Sequence, residues 1–289
     1  MLHRVIVSTA GLLCAALLVP AGGLAQNTTT WPDPVPDRRT VAEKDRRPAP
    51  KRNISGMWGS RLGNQAKGVQ LKPNDANPEN ALPYTALGLQ LYRAHKALEG
   101  ADAVPPAESN DPRVKCEPLG FPRYNHYDLG VQIFQDEHKV AILYSYDNRW
   151  RIIWTDGRSI PKVADGGVEI DGHYRESRWF GYSVGTWIDD YTLEVVTVGL
   201  MPEDRVWLDN TGRPISDQAR VTERFRRVDS ETLEWSETLE DQKLYTKAWE
   251  TMRIPMILQD GRTDVLTRYC SPVEIENYNK VYGDSASGR

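Results

Sequence analysis

The chain has 289 residues and carries 36 Lys and Arg against 40 Asp and Glu, so its formal net charge is −4 at neutral pH. This mild acidity argues against nucleic acid as a partner, because binding to phosphates requires a clustered basic face. After residue 25 no stretch approaches the roughly 18 consecutive apolar residues of a membrane helix, so no membrane span is predicted.

The first 25 residues have the pattern of a cleavable export signal. A short basic start, His3 and Arg4, precedes an apolar run over 5–19, and small residues lead to a cleavage point after Ala25. We therefore expect a periplasmic or secreted protein. Residues 26–52 are rich in proline and charge, which predicts a disordered tether. The ordered domain is expected over 53–272, followed by a C-terminal tail over 273–289.

One helix is predicted near the start of this domain. Between residues 83 and 99 the apolar positions recur every three or four residues, Pro83 suits a first helical turn, and Gly100 suits the end. The next stretch holds too many prolines for a helix or a strand and is expected to form a long loop that ends near Cys116.

From residue 130 onward apolar and polar residues alternate, which is the period of half-buried strands. Short polar breaks suit hairpin turns and leave no room for the crossover helices of a parallel sheet. The sequence predicts a mainly β fold: an antiparallel up-and-down barrel of about nine strands, with one N-terminal helix and long loops, whose interior can hold one small ligand. The expected strands are 54–60, 131–135, 140–146, 150–155, 178–187, 192–198, 221–227, 232–238 and 265–269.

Two cysteines lie outside the predicted signal, Cys116 and Cys270. In an oxidising compartment an even pair predicts one disulfide. Closing a loop of about 150 residues would stabilise the fold by about 5 kcal/mol in the chain-entropy model. The alternative is a pair of buried free thiols.

The segment "GYSVG", 181–185, has the G-x-S-x-G spacing of a serine-hydrolase nucleophile elbow. Such an elbow requires a helix after the serine and a catalytic histidine later in the chain. Here the following residues alternate like a strand, and the sequence holds no histidine after His173. We therefore interpret Ser183 as part of a strand whose flanking glycines mark a bulge or a close backbone approach.

Four segments carry a family resemblance: "NDPRVKCEPLGFPR", "RIIWTDGRSIP", "GYSVGTWIDDYTLEVVTVG" and "WLDNTGRPISDQARVTERFRRVDSETLEWSETLEDQKLYTKAW". In this order the chain resembles a family of exported, largely uncharacterised bacterial proteins over residues 53–272. The resemblance implies a lipocalin-like β-barrel and no particular activity. Members often carry histidines where this chain has Ile160, Tyr182 and Ile215, so a histidine mechanism of the family would not transfer here.

No metal and no cofactor is predicted. After the predicted signal the histidines are few and widely spaced, with no i, i+2 or i, i+4 pair, and the two cysteines are far apart. These histidines are His95, His126, His138 and His173.

The aromatic composition favours a ligand pocket, because nine Trp and thirteen Tyr stand against four Phe. Rings with a polar atom can pack on one edge and donate a hydrogen bond from another. The alternative is an ordinary barrel core with surface tryptophans. The expected ligand-binding residues are Trp154, Arg158, Trp179, Tyr182, Trp187 and Arg224.

Three residues are candidates for acid–base chemistry. His126 in "RYNHY" could serve as an acid or base at a barrel mouth, or be an ordinary loop histidine. Asp156 in "DGR" forms a good turn, from which Arg158 could fold back on a carboxylate or face an anionic ligand. Glu223 in "ERFRR" would need an arginine partner if it points into a barrel, and a solvated outer face is the alternative.

Three classes of function remain open. The first is an exported barrel that binds a small apolar or aromatic molecule. The second is a cofactor-free lyase, isomerase or hydrolase on the same barrel. The third is an envelope interaction protein without a cavity. Fold class alone does not separate them, and the sequence does not indicate the oligomeric state.

Overall fold

The computed structural model describes residues 48–60, 82–100, 102–126, 130–164, 167–170, 174–176, 178–251, 253–261, 263–265, 269–278 and 280–281. The predicted signal, most of the predicted tether and His173 lie outside these residues. Within these ranges there is no helix of the length and apolar character that a membrane crossing needs.

The described part of the chain is mainly β, with two α-helices and short 3-10 turns at Pro106–Glu108, Pro112–Lys115 and Arg123–His126. The helices are α1, Ala86–Ala94, and α2, Pro272–Tyr278. The strands are β1 Gly56–Ser60, β2 Val131–Gln135, β3 Lys139–Tyr144, β4 Trp150–Trp154, β5 Val163–Ala164, β6 Gly167–Ile170, β7 Tyr174–Glu176, β8 Tyr182–Trp187, β9 Thr192–Val198, β10 Arg220–Arg227, β11 Thr232–Glu240, β12 Trp249–Glu250 and β13 Ile254–Leu258.

Nine of these strands form a closed barrel in the order β10, β9, β8, β4, β3, β2, β1, β13, β11, because β11 pairs again with β10. The predicted β-barrel of about nine strands is therefore confirmed. Strand β12 pairs with the end of β11, and β5, β6 and β7 form a separate three-stranded sheet.

The up-and-down order is not confirmed, because β4 and β8 run parallel with Ile153 opposite Ser183 and Trp154 opposite Val184. All other pairings among the barrel strands are antiparallel. The three-stranded sheet lies in the long connection between β4 and β8, and the described part of that connection contains no crossover helix. A two-residue period identifies a strand but carries no information about the direction of its neighbour.

The final barrel strand is also different from the predicted one. Val265 and Tyr269 are not in a strand, and the residues between them lie outside the described part of the chain. Strand β13 takes that place between β1 and β11. Its five residues, IPMIL, contain a proline and do not alternate, so the polarity pattern does not reveal them as a strand.

Helix α1 is shorter than predicted because His95 leaves the helical conformation. The Thr85 side chain caps the helix start by accepting a hydrogen bond from the Gly88 amide at 3.0 Å. At the other end, His95 Nδ1 lies 2.6 Å from the Gly212 carbonyl oxygen, and its ring stacks on Trp207 with centroids 4.3 Å apart. These contacts hold the helix end against a distant loop.

Two apolar clusters fill the two ends of the barrel. The first contains Trp58, Ile153 and Phe225 together with other inward-facing residues of eight strands. The second contains Val221 and Leu239, where β10 begins and β11 ends, and residues of the loop between β9 and β10. The inward-facing side chains between these clusters are polar, and they form the candidate site.

Candidate functional site

A layer of polar side chains lies inside the barrel between the two apolar clusters. On β10 the inward-facing series is Val221, Glu223 and Phe225, and on β11 it includes Glu237 between two apolar residues. Alternation along each strand places these carboxylates inside. The strands contribute Arg151, Ser183, Thr197, Glu223 and Glu237, all at most 2% exposed.

Arg151 and Glu223 form a bidentate ion pair in this layer. The distances are 2.5 Å from Nη2 to Oε2 and 3.1 Å from Nη1 to Oε1. Arg151 also donates to Ser183 Oγ at 3.1 Å and to Thr197 Oγ1 at 2.7 Å. Burial is the largest single influence and acts to lower the pKa of Arg151, but the combined effects of Glu223 and Tyr144 leave that pKa raised. The guanidinium therefore stays charged, with a hydrogen bond at each of its three nitrogens, as a buried charge requires.

Glu223 receives further donors at Oε1. The Asn125 side-chain amide donates at 2.9 Å, and the Trp235 indole donates at 3.2 Å. The Asn125 carbonyl oxygen in turn accepts from the Tyr144 hydroxyl at 2.8 Å. Burial raises the pKa of Tyr144 well above its ordinary value, so the phenol keeps its proton and remains a donor. The polar groups around Arg151 and Glu223 thus form a network in which each has a hydrogen-bond partner.

Glu237 lies directly opposite Glu223 in the pairing of β11 with β10, yet it has a different partner. Its Oε1 is 2.8 Å from His126 Nε2, and both side chains are about 2% exposed or less. Burial raises the pKa of Glu237 and the nearby Glu223 charge raises it further, whereas His126 acts to lower it. This carboxyl is therefore more readily protonated than an exposed one.

The hydrogen bonding of the His126–Glu237 pair is incomplete among the described residues. His126 Nδ1 and Glu237 Oε2 are both buried, and neither has a hydrogen-bond partner there. Buried polar atoms are nearly always paired, and an unpaired one calls for a specific explanation. One carboxylate oxygen and one imidazole nitrogen are consequently left without a hydrogen-bond partner among the described residues.

His126 reaches the interior from a loop that is anchored at several points. His126 ends a 3-10 turn that begins at Arg123, which forms two hydrogen bonds to Asp111 at 2.8 and 2.6 Å and one to Asn210 at 2.9 Å. Before it, Phe121 is fully buried and stacks under the Arg151 guanidinium, 3.9 Å from its ring centroid. The loop therefore holds His126 against the network and does not leave it free in solvent.

The predicted disulfide between Cys116 and Cys270 is confirmed. Its Cα atoms are 5.4 Å apart, which is within the usual range. The bond joins the start of the anchored loop to the segment that precedes α2. Because it closes a loop of 154 residues, it restricts the unfolded chain strongly.

Three of the predicted ligand-binding residues come together on the outer face of the barrel. The Arg158 guanidinium stacks over the Trp154 ring at 3.8 Å and donates to the Tyr182 hydroxyl at 2.9 Å. It also pairs with Asp156 at 2.6 Å and lowers the pKa of that carboxyl to about 2. Asp156 is therefore held in a turn and is separate from the interior layer.

The other predicted ligand-binding residues are dispersed. The Trp179 ring lies 5.0 Å from the Arg205 guanidinium and packs against the second apolar cluster, whereas Trp187 packs against the first. Arg224 is exposed and pairs with Glu194 at 3.0 Å. The structure therefore brings together His126 and Glu223 of the predicted catalytic residues, but it does not gather the predicted ligand set into one cavity.

Sequence reasoning missed Arg151 and Glu237. The signal for Glu237 is its position inside the alternating run TLEWSETLE, where its parity matches Trp235 and Leu239. Arg151 has the same parity as Ile153 in WRIIW. In both strands a charged residue takes an inward position, which is a sign of a buried network.

Comparison with known proteins adds no identification, since no family model, curated protein or solved structure matches the chain. The described residues also contain no group of three or more His, Cys, Asp or Glu side chains that could hold a metal ion. The inference about function therefore depends on the site alone.

Proposed function

We propose that the protein is an exported, cofactor-free barrel enzyme that moves a proton on a small molecule with His126 and Glu237. The observation that carries this proposal is the incomplete hydrogen bonding of the pair, at the centre of an otherwise saturated layer. The disulfide supports export from the cytosol, because disulfides are typical of oxidising compartments. We also propose that the protein belongs to the family of exported, lipocalin-like proteins that its sequence resembles.

The chemistry follows from the two unpartnered atoms. When Glu237 is ionised, His126 Nε2–H donates to it, and the lone pair at Nδ1 becomes a base oriented by the carboxylate. When Glu237 is neutral, its hydroxyl donates to Nε2, and Nδ1–H becomes an acid. A base held by a third group is the arrangement that general acid–base catalysis uses. This suits a lyase or isomerase that abstracts a proton, or a hydrolase that activates water.

Glu223 and Glu237 have the unlike environments that separate two carboxylates into different roles. Glu223 is tied to a guanidinium and an indole, whereas Glu237 faces only an imidazole and has a raised pKa. In this proposal Glu223 and Arg151 are positioning residues that keep the interior rigid, and the Glu223 charge adds to the burial that raises the pKa of Glu237.

The polar layer favours the enzyme over the two other classes that the sequence leaves open. A carrier of an apolar molecule would need free apolar surface, yet Ile133, Ile153 and Leu193 are fully buried against one another and their neighbours. Two buried, unpartnered polar atoms on one hydrogen-bonded pair cost stability, which favours a chemical role over a filled core.

The test measures proton abstraction directly. The protein without residues 1–25 is incubated in D2O with small ketones and with p-nitrophenyl esters, and deuterium uptake beside the carbonyl and ester hydrolysis are followed. We expect acceleration on one class, with a loss of about 10²-fold or more in His126→Gln and Glu237→Gln. Gln at 126 places an amide nitrogen near Nε2 and removes the Nδ1 base.

His138→Gln is the matched control, because His138 is an exposed histidine, with a side chain 64% accessible. It should retain full activity. Melting temperatures of all variants identify any loss that comes from unfolding. Equal activity of the wild-type protein and both site variants on every accelerated substrate would refute the proposal.

A further inference from the structure

The outer face of the barrel carries a groove of about 240 Å³ across β10, β11 and the segment after β12. We call it the outer groove. Its lining includes the charged side chains of Arg224, Arg226, Glu234, Glu250 and Arg253 and the hydroxyl groups of Thr192 and Ser236. Arg224, Arg226, Glu234 and Ser236 have the opposite parity to Glu223 and Glu237, so these groove side chains and the interior site lie on opposite faces of the same two strands.

Two of the arginines already have carboxylate partners. Arg224 pairs with Glu194 at 3.0 Å, and Arg226 pairs with Glu234 at 3.4 Å. Arg253 and Glu250 are exposed, and neither has an ion pair within the described ranges. The groove thus offers one unpaired positive charge and one unpaired negative charge.

Ser236 supplies a third unpartnered group. It lies opposite Arg224 in the strand pairing and faces outward into the groove. It is only 8% exposed, and its hydroxyl has no hydrogen bond to any described residue. A nearly buried hydroxyl without a partner can donate to a ligand oxygen at little additional desolvation cost.

We propose that the outer groove binds a small zwitterion, a free α-amino acid, with its carboxylate on Arg253 and Ser236 and its ammonium group on Glu250. A simple anion would meet repulsion from Glu250, and a simple cation would meet repulsion from Arg253. A molecule with both charges satisfies both residues. The volume is below the range of about 300–1,000 Å³ of drug-sized ligand pockets, so the ligand is small.

The experiment titrates the protein without residues 1–25 at constant ionic strength by calorimetry, with L-alanine, acetate and methylammonium as probes. We expect saturable binding of L-alanine that weakens about tenfold in both Arg253→Gln and Glu250→Gln. Acetate separates the two contributions, since its binding should weaken in Arg253→Gln and strengthen in Glu250→Gln.

Arg93→Gln is the matched control, because Arg93 is an exposed arginine of α1 away from the groove. It should bind L-alanine like the wild-type protein, and so should His126→Gln, because this proposal does not depend on the interior site. The proposal is overturned if L-alanine shows no saturable binding, if binding survives both groove substitutions, or if Arg93→Gln weakens it equally. Tighter L-alanine binding in Glu250→Gln would also overturn it, by indicating an anion site only.

Discussion

Glu223 and Glu237 are directly opposite residues on neighbouring strands, and both carboxylates are buried inside the barrel. Like charges in that position repel, so each carboxylate needs its own compensation. Arg151 provides it for Glu223 and His126 for Glu237. Because burial raises the pKa of Glu237, the Glu237 side of the layer responds to pH.

Glu237→Gln should change how stability depends on pH. Burial raises the folded-state pKa of Glu237 above its ordinary value of 4.5. Above pH 4.5 the unfolded chain has lost a proton that the folded protein still holds, so the free energy of unfolding falls until Glu237 ionises in the folded state. Glu237→Gln has no carboxyl group at this position, so its free energy of unfolding does not show this fall. Urea unfolding should therefore show that the stability of the variant, relative to that of the wild-type protein, rises with pH above pH 4.5.

The exposed Glu137, with a side chain 84% accessible, provides the control substitution Glu137→Gln. It should leave the pH dependence as in the wild-type protein. A constant difference in stability between Glu237→Gln and the wild-type protein across this range would contradict the raised pKa.

Arg151→Met should destabilise the fold by about 3–5 kcal/mol, because it leaves the Glu223 carboxylate buried without its charge partner. The double variant with Glu223→Gln should lose clearly less than the sum of the single variants. Urea unfolding of all four proteins gives the coupling energy. Additive losses would show that the pair does not act as a unit.

The exposed pair of Arg226 and Glu234 is the matched comparison, with an N–O distance of 3.4 Å. Arg226→Gln should cost less than about 1 kcal/mol, since solvent screens that pair.

Removal of the disulfide should lower stability strongly. In the double variant Cys116→Ser and Cys270→Ser we expect a loss of about 2–5 kcal/mol, because the bond closes most of the barrel domain into one loop. Chemical unfolding of the variant and of the reduced wild-type protein should give similar values. Thiol titration of the native protein without residues 1–25 should find no free thiol, and two free thiols would contradict the bond.

Gly88→Ala should destabilise the protein by about 1–3 kcal/mol, although alanine favours helices over glycine by about 1 kcal/mol. A Cβ at this position of α1 would overlap with the backbone carbonyl oxygen of Leu244. The helix therefore needs a glycine at its contact with the loop after β11. Thermal unfolding of the variant is the measurement, and an increase in melting temperature would show that the contact can relax.

The sequence by itself determined most of the barrel strands, their approximate number and the disulfide. Alternation identified 131–135 and 192–198 to the residue, because side chains of a strand must point alternately into the core and outward. It also indicated that an inward Glu223 requires an arginine.

Only the tertiary structure decided which arginine pairs with Glu223 and which glutamate contacts His126. Those partners are 72 and 111 residues apart in the chain, and their contact depends on strand order, on register and on the parallel pairing of β4 with β8. Periodicity gives the two faces of each strand, but it does not state which face turns inward or which strand lies beside it. That is also why Trp154, Arg158 and Tyr182 meet on the outer face, while the unpartnered polar atoms lie inside.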